Sequence, residues 1–118
     1  MTKDYKIQLM KAGVNLNLAM NRFMQNEALY EKFLKKFPND TTFSILKNKM
    51  SENNIQESFA AAHTLKGICG NMEFNNLMEI INPLTEKLRI SQLDGADELM
   101  KELESRYNTI CSIIQRNQ

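Results

Sequence analysis

Residues that interrupt helices are scarce in this chain, which has only two prolines and four glycines among its 118 residues. It has no repeat, no low-complexity tract and no linker rich in proline or glycine. No alternating apolar pattern is long enough to indicate a sheet. The length leaves little room for a second domain, so we expect a single domain over residues 1–118.

Long apolar runs and an excess of charge of one sign are also missing. The longest apolar stretches, 58–62 and 110–114, are far too short to cross a bilayer. With 15 basic and 14 acidic side chains the net charge is +1, which gives no electrostatic case for nucleic acid or an anionic membrane as a partner. The first residues show no secretory signal, so we expect a cytoplasmic protein.

The side chains that build metal or hydrolytic sites are few. There is one histidine, and no set of carboxylates or thiols converges with it along the sequence. The only cysteines, Cys69 and Cys111, lie on different predicted helices without a CxxC spacing, which favours small core residues over a disulfide or metal pair. A glycine-rich nucleotide loop is also missing. We therefore expect no cofactor and no metal site.

Apolar side chains recur at helical spacing almost throughout the chain. A weak helix is expected over 3–12, and another begins at Asp40 or Thr41. Three asparagines are expected to cap helices in the first half: Asn15, Asn26 and Asn54, the last with Glu57 as in a capping box. The helix from Asn26 ends at Pro38 and carries the apolar set Leu29, Tyr30, Phe33, Leu34 and Phe37.

Two more helices follow in the second half. Asn76 with Glu79 is expected to cap a helix that runs to about Ile90 with a kink at Pro83. Asp94 is expected to cap the last helix. Their apolar sets are Leu77, Ile80, Ile81, Leu84 and Leu88, then Ala96, Leu99, Leu103, Tyr107, Ile110 and Ile114. Because short loops favour antiparallel neighbours, the sequence predicts an all-α fold, an antiparallel four-helix bundle with additional short N-terminal helices.

The single histidine, His63, stands among small residues in the segment FAAAHTLKGICG. At about 100° per residue, Gly67 lies about 40° to one side of it and Gly70 about 20° to the other, with Lys66 about 60° away on the following turn. About 80° or more from it are the expected core residues Ile55, Ala62, Leu65 and Cys69. We therefore expect the imidazole at the edge of the buried face, with little bulk beyond it.

Two glycines beside the only histidine need a reason, because each is about 1 kcal/mol less favourable than alanine inside a helix. One reason is access for a partner's active site, with Lys66 neutralising charge on a group attached to the imidazole, as phosphoryl transfer requires. An imidazole is largely neutral at pH 7 and offers a nucleophilic nitrogen. Other interpretations stay open: a structural or merely exposed histidine, a solvated lysine, and glycines at a helix–helix contact.

The segment 62–67, AHTLKG, resembles the A-H-x-L-K-G signature of the histidine-containing phosphotransfer (HPt) family. Upstream, 27–37 resembles the helix that precedes the phosphorylated one in that family. Downstream, Leu77 and Leu84 fall at its apolar packing positions, as do residues 71–72, and 93–95 resembles the turn before its last helix. The resemblance covers most of the chain.

The resemblance implies a phosphorelay carrier in two-component signalling that is not an enzyme and has no kinase or nucleotide-binding site. Such proteins take a phosphoryl group from an aspartate on one receiver domain and pass it to another. Carried over to this chain, His63 is the phosphoacceptor, Lys66 stabilises charge and Gly67 leaves space for the receiver loop. The expected partners are receiver domains of response regulators and a histidine or hybrid sensor kinase, with the chain itself a monomer.

Three positions depart from the family pattern. Ile68 stands where the family usually has a small serine, and Glu73 where it usually has a glycine. Thr85, with Glu86 beside it, stands where a glutamate or glutamine often holds the imidazole. Because threonine has a shorter reach, what orients His63 is open.

Two alternatives to a free-standing carrier follow from the same pattern. One is a docking module that binds receiver domains without carrying phosphate, although such a surface has no need of His63, Lys66 and Gly67. The other is a phosphotransfer segment excised from a hybrid sensor kinase or a chemotaxis kinase. The initiating Met1 and the compact length favour a free-standing protein.

Overall fold

Seven α-helices and one 3₁₀-helix make up the computed structural model, which describes all 118 residues. No strand occurs, and Val14 and Phe74 pair only in an isolated antiparallel bridge. None of the helices combines the length and apolar character needed to cross a membrane. The elements in chain order are α1 (Lys3–Lys11), α2 (Leu16–Arg22), α3 (Glu27–Lys36), the 3₁₀-helix (Phe37–Asn39), α4 (Thr42–Ser51), α5 (Ile55–Asn71), α6 (Asn75–Arg89) and α7 (Ala96–Arg116).

Helices α4 to α7 form an antiparallel four-helix bundle. α5 packs between α4 and α6, and α6 packs on α7. α7 closes the bundle beside α4, where the rings of Phe43 and Tyr107 stack with centroids 4.2 Å apart and Lys47 pairs with Glu104. Residue numbers rise along α4 as those of the partners fall along α7, so the two helices run in opposite directions. The predicted all-α bundle with short N-terminal helices is confirmed.

The core is one cluster of 26 buried apolar residues. Burial of each large aliphatic side chain favours folding by about 1.5–3 kcal/mol. The predicted apolar stripes of the last two helices supply much of it, with eight residues buried: Leu77, Ile81, Leu84, Leu88, Ala96, Leu103, Ile110 and Ile114. α3 differs, because Leu29 and Phe33 are 39% and 43% exposed although the sequence placed them in its apolar set.

The N-terminal helices pack on one end of the bundle. α1 lies against α7 and buries Tyr5 and Leu9. On the buried side of α3, the Tyr30 hydroxyl donates to the Met72 carbonyl oxygen, 2.8 Å away, just beyond the end of α5. A residue of the N-terminal helices therefore holds the C-terminal end of α5 in place.

The three expected asparagine caps are present. The side-chain oxygens of Asn15, Asn26 and Asn54 accept from the backbone N–H groups three residues on, at 3.1, 3.0 and 3.1 Å. Of the two candidates for the start of α4, Thr41 is the N-cap residue but makes no side-chain hydrogen bond. The carboxylate of Asp40 accepts instead from the backbone N–H of Thr42, at 2.8 Å. Each such cap satisfies a backbone donor that the first helical turn leaves free.

The expected cap at Asn76 is wrong. α6 begins at Asn75, and its N-cap residue Phe74 makes no side-chain hydrogen bond. The backbone N–H of Asn76 donates instead to the carbonyl oxygen of Gly13, 3.3 Å away. Gly13 has φ +102°, and a Cβ there would stand 2.7 Å from that of Asn76, so this contact requires glycine.

The expected cap at Asp94 is also wrong. α7 begins at Ala96 with Gly95 as its N-cap residue, at φ +79° and without a side-chain hydrogen bond. The turn closes through the backbone, where the Ala96 N–H donates to the Leu93 carbonyl oxygen at 3.0 Å. A left-handed glycine therefore replaces the aspartate cap.

Pro83 lies inside α6 on its exposed side. A proline inside a helix has no backbone N–H to donate, so one carbonyl oxygen of the preceding turn loses its helical partner. The kink expected there stays a prediction.

Cys69 and Cys111 are free thiols buried on α5 and α7. Burial raises the pKa of both thiols above the ordinary value. They therefore remain protonated near neutral pH and act as small core side chains.

Candidate functional site

Helix α5 has one face buried in the bundle and one face exposed to solvent. Ala62, Leu65 and Cys69 are buried against the rest of the bundle. His63, Lys66 and Gly67, the residues singled out from the sequence, are all exposed on the other side. The helix holds them at fixed spacing, with Lys66 and Gly67 about 4.5 and 6 Å along the axis from His63.

The imidazole of His63 is open to solvent. Its nearest aromatic neighbour is Phe59, one turn before it, with ring centroids 6.0 Å apart and planes inclined by 43°. The side-chain hydrogen bonds at this helix belong to Asn54 and Thr64, and none involves His63. The ring is therefore supported from one side by a half-buried phenylalanine and is free on the other.

Space around the two glycines of α5 differs. A Cβ added at Gly67 would meet no atom within 4 Å, so this glycine does not serve a helix–helix contact. A Cβ at Gly70 would meet the terminal methyl of Met78 on α6 at 3.7 Å, an ordinary van der Waals distance. Packing therefore gives no reason for glycine at position 67, and the access argument keeps its physical basis.

Lys66 supplies positive charge next to the imidazole. It takes part in none of the protein's salt bridges. On the facing helix, the hydrogen bond from Arg89 lowers the pKa of the Glu86 carboxyl, and the charge of Lys66 lowers it further. Glu86 thus stays ionised between two cations, and Lys66 keeps free donors.

Thr85 does not hold the imidazole. It is 6% exposed, and its hydroxyl donates to the carbonyl oxygen of Ile81 at 2.7 Å within α6. Since its one proton is already used, it cannot donate to a nitrogen of His63. The orienting contact that the family resemblance implied at this position is absent.

A comparison of the sequence with protein-family models gives one match. The model of the Hpt domain matches residues 28–112. The chain belongs to the Hpt domain family. Hpt domains are phosphotransfer carriers in the phosphorelays of two-component signalling, and they interact with receiver domains and kinases. No solved structure gives a match.

The matched segment includes α4, α5, α6 and most of α7, and it leaves out α1 and α2. Within it, Glu73 shows how a departure from the Hpt pattern is accommodated. Its backbone has φ +58°, the left-handed region that glycine adopts without strain. A salt bridge to Arg22, 2.9 Å long, and a backbone hydrogen bond from Asn15 hold the residue there. The position thus keeps the conformation that favours glycine.

The sequence interpretation missed two features of this Hpt domain. Arg89 and Glu86 form an ion pair on α6 close to Lys66, and their i,i+3 spacing could have signalled it. Ile68, another departure from the Hpt pattern, lines a cleft with Phe23 and Phe33. Phe33 was assigned to the apolar set of its helix, and nothing in a helical period distinguishes a residue that lines a cleft from one in the core.

Proposed function

We propose that the chain is a phosphorelay carrier whose His63 takes a phosphoryl group from a receiver-domain aspartate and passes it to a second receiver. A neutral ring nitrogen attacks the phosphorus of the aspartyl phosphate. A nitrogen–phosphorus bond forms as the bond from phosphorus to the aspartate oxygen breaks, and the carboxylate leaves with the electron pair. The reverse step delivers the group to the next aspartate, so no nucleotide or redox partner is needed.

The observation that carries this proposal is the open space at Gly67, where an added Cβ would have no neighbour within 4 Å. In-line transfer needs the partner's aspartate close to the imidazole, with attacking and leaving atoms aligned. A bare turn next to His63 allows that approach. Lys66 stabilises the negative charge that gathers on the phosphoryl oxygens as the group moves.

The rest of the assignment follows from this role. The chain binds receiver domains and a histidine or hybrid sensor kinase, acts without a cofactor or a kinase site of its own, and works in the cytoplasm as a monomer. Residues 1–118 serve as one domain, because α1 and α2 contribute Tyr5, Leu9 and Ala19 to the same core as the bundle. Transfer needs one histidine from this chain and one aspartate from the receiver, so a single copy of the chain suffices.

A docking module that binds receivers without carrying phosphate is the second candidate. The feature that favours it is the hydrogen bond from Thr85 to Ile81, which leaves the imidazole without a protein group to orient it. The receiver itself can supply that orientation when it closes over the site. A docking module would bind receivers and take no label.

The deciding experiment is incubation of the purified chain with phosphorylated receiver domains from the same organism. We expect label to move to this chain and to be lost in acid but kept in alkali, as for phosphohistidine. Adding a second, unphosphorylated receiver should then remove the label from the chain. Stable receiver binding without transfer of label would replace the carrier by the docking module.

A further inference from the structure

A small cavity lies at the end of the four-helix bundle where α4 and α6 finish and α5 and α7 begin. All four helices contribute to its lining, with Met50 from α4, Ser58 from α5, Leu88 from α6 and Ala96 from α7. Its volume is about 120 Å³. We call it the end cavity. The space between the helices of a bundle is a common place for small-molecule sites.

The hydroxyl group of Ser58 distinguishes this cavity from the other depressions of the surface. Ser58 is 1% exposed, and its Oγ atom has no hydrogen-bond partner within the protein. A buried polar atom without a partner lowers stability, and most such atoms in proteins are paired with a protein group or a bound molecule. Since Ser58 lines the end cavity, an occupant can supply the missing hydrogen bond.

The end cavity has a buried inner wall and an open mouth. Leu88 and Ala96 are each 2% exposed and therefore lie on the inner side together with Ser58. Leu93 and Asp97 are exposed and border the mouth. The inner wall thus offers one hydrogen-bonding side chain among apolar neighbours. A matching ligand carries one polar group on an aliphatic chain.

The charge around the end cavity favours a neutral ligand. Asp97 is the only charged residue in the lining, and it takes part in none of the salt bridges. Its carboxylate repels an anion that approaches the mouth. A cationic group that reached Ser58 would lie beside Leu88 and Ala96, where burial of an unpaired charge is costly.

The volume of the end cavity limits the size of the ligand. An apolar cavity of about 150 Å³ holds benzene, a molecule of about six heavy atoms. The end cavity is somewhat smaller, at about 120 Å³. It therefore suits a ligand of about five heavy atoms, such as an alcohol with four carbons.

We propose that the end cavity binds a short-chain aliphatic alcohol, whose hydroxyl group bonds to Oγ of Ser58 and whose chain packs on Ile55 and Leu88. A hydroxyl group both donates and accepts, so it pairs with serine in either direction. Ser58 precedes His63 by about 7.5 Å along α5 and lies about 140° around the helix from it. The ligand therefore does not touch the imidazole, and its binding does not depend on the proposed function.

Titration of the purified chain with 1-butanol, followed by NMR, tests the site. We expect the backbone amide signals of Ser58, Ala96 and Asp97 to shift and to saturate with a Kd of about 1–10 mM, which is within the limit for so small a ligand. Each CH₂ group added from ethanol to 1-butanol should lower Kd about threefold, because it buries further apolar surface. Butyrate, with the same chain length and a negative charge, should bind at least about tenfold more weakly.

Ser58→Ala removes the hydroxyl group and keeps the apolar walls. It should raise the Kd of 1-butanol about threefold to tenfold, as expected for the loss of one hydrogen bond. Without ligand, its urea midpoint should equal or exceed that of the wild type, because an unpartnered polar atom is removed. Ser112→Ala is the matched control, since Ser112 is exposed on α7 about 24 Å along the axis from Ala96. It should leave Kd unchanged.

Three results would each overturn the inference. The first is amide shifts that do not saturate or that spread over the whole surface. The second is an equal Kd for the wild type and Ser58→Ala, and a lowered urea midpoint of that variant would then assign the hydroxyl group to the fold. The third is butyrate binding as tight as that of 1-butanol. The titrations of the wild type decide the matter even if Ser58→Ala does not fold, and none of these results bears on phosphoryl transfer by His63.

Discussion

The two longest helices, α5 and α7, belong to one bundle but differ in the kind of side chain that they bury and expose. α7 buries large aliphatic residues such as Leu103 and Ile110 at regular helical steps and exposes charged residues on its other side. α5 buries mostly small side chains and carries Gly67 on its exposed side, where no packing contact calls for a glycine. Packing alone accounts for the sequence of α7, whereas that of α5 also carries a requirement for access at His63.

The difference teaches how to separate structural from functional positions in a small bundle. A position that packing explains should respond to mutation in stability, and a position that packing leaves unexplained should respond in activity. The variants below apply that rule to one residue of α7 and to three of α5.

Leu103→Ala should cause the largest change in stability. Leu103 is fully buried on α7, so the substitution removes apolar contact and leaves a cavity. We expect the free energy of unfolding in urea to fall by about 2–5 kcal/mol, with normal phosphoryl transfer per folded molecule. A decrease in the free energy of unfolding much smaller than this range would mean that the apolar stripe of α7 is not packed as described above.

Gly67→Gln should have the opposite pattern. An exposed glycine in a helix gives way to a better helix former, so stability should stay level or rise by up to about 1 kcal/mol. A long side chain one turn from His63 should obstruct the receiver and lower the transfer rate by a factor of about ten or more. This factor corresponds to a loss of at least about 1.4 kcal/mol of transition-state stabilisation.

Ser112→Gln, an exposed change of similar size on α7, serves as the control for Gly67→Gln and should leave transfer unchanged. Normal transfer by Gly67→Gln would remove the clearance argument. A marked loss of stability would mean that position 67 lies in a packing contact, contrary to the open space that surrounds it in the structure.

Lys66→Ala should have the smallest effect. The phosphoryl group brings close to two negative charges beside a lysine that has no salt-bridge partner, so Lys66 favours the phosphorylated state and the transition state over the resting protein. Because the site is open to water, we expect a loss of a few-fold to tenfold in saturating transfer rate, about 1 kcal/mol. The lifetime of the isolated phosphoprotein should shorten too, with little change in stability.

Lys66→Arg, which keeps the charge, and Lys101→Ala, an exposed lysine on α7, are the matched controls for Lys66→Ala. If Lys66 only contacts acidic groups of the receiver, a higher receiver concentration restores the full rate and the free phosphoprotein decays normally. An unchanged lifetime together with an unchanged saturating rate would remove the electrostatic role.

The fold could be read from the sequence because local signals and the core agree. The caps at Asn15, Asn26 and Asn54 and the stripes of α6 and α7 are local patterns that tertiary structure did not override. The cap predictions failed at Asn76 and Asp94, where the α1–α2 turn or a left-handed glycine sets the helix start. These two helix starts depend on tertiary contacts or backbone angles that helical spacing does not encode.

The candidate site was predictable in part for a similar reason. The exposure of His63, Lys66 and Gly67 follows from angular position on one helix, which the sequence contains. Phe33 was assigned to the packed set because its spacing on α3 matches that of Tyr30 and Phe37. Only the structure shows that Phe33 lies outside the surface that α3 buries against the bundle. A cleft formed by separate helices has no signature in any one of them.

The identity of the phosphoacceptor is tested most directly by comparing His63→Gln with the wild type in the same assay with a phosphorylated receiver. Because the imidazole is exposed and makes no hydrogen bond within the protein, the variant should keep the helical circular-dichroism signal and the urea midpoint of the wild type. We predict that the wild type takes acid-labile label and that His63→Gln takes none. A folded His63→Gln protein that still takes acid-labile label would contradict the account, and so would a variant that fails to fold, since His63 would then be a structural residue.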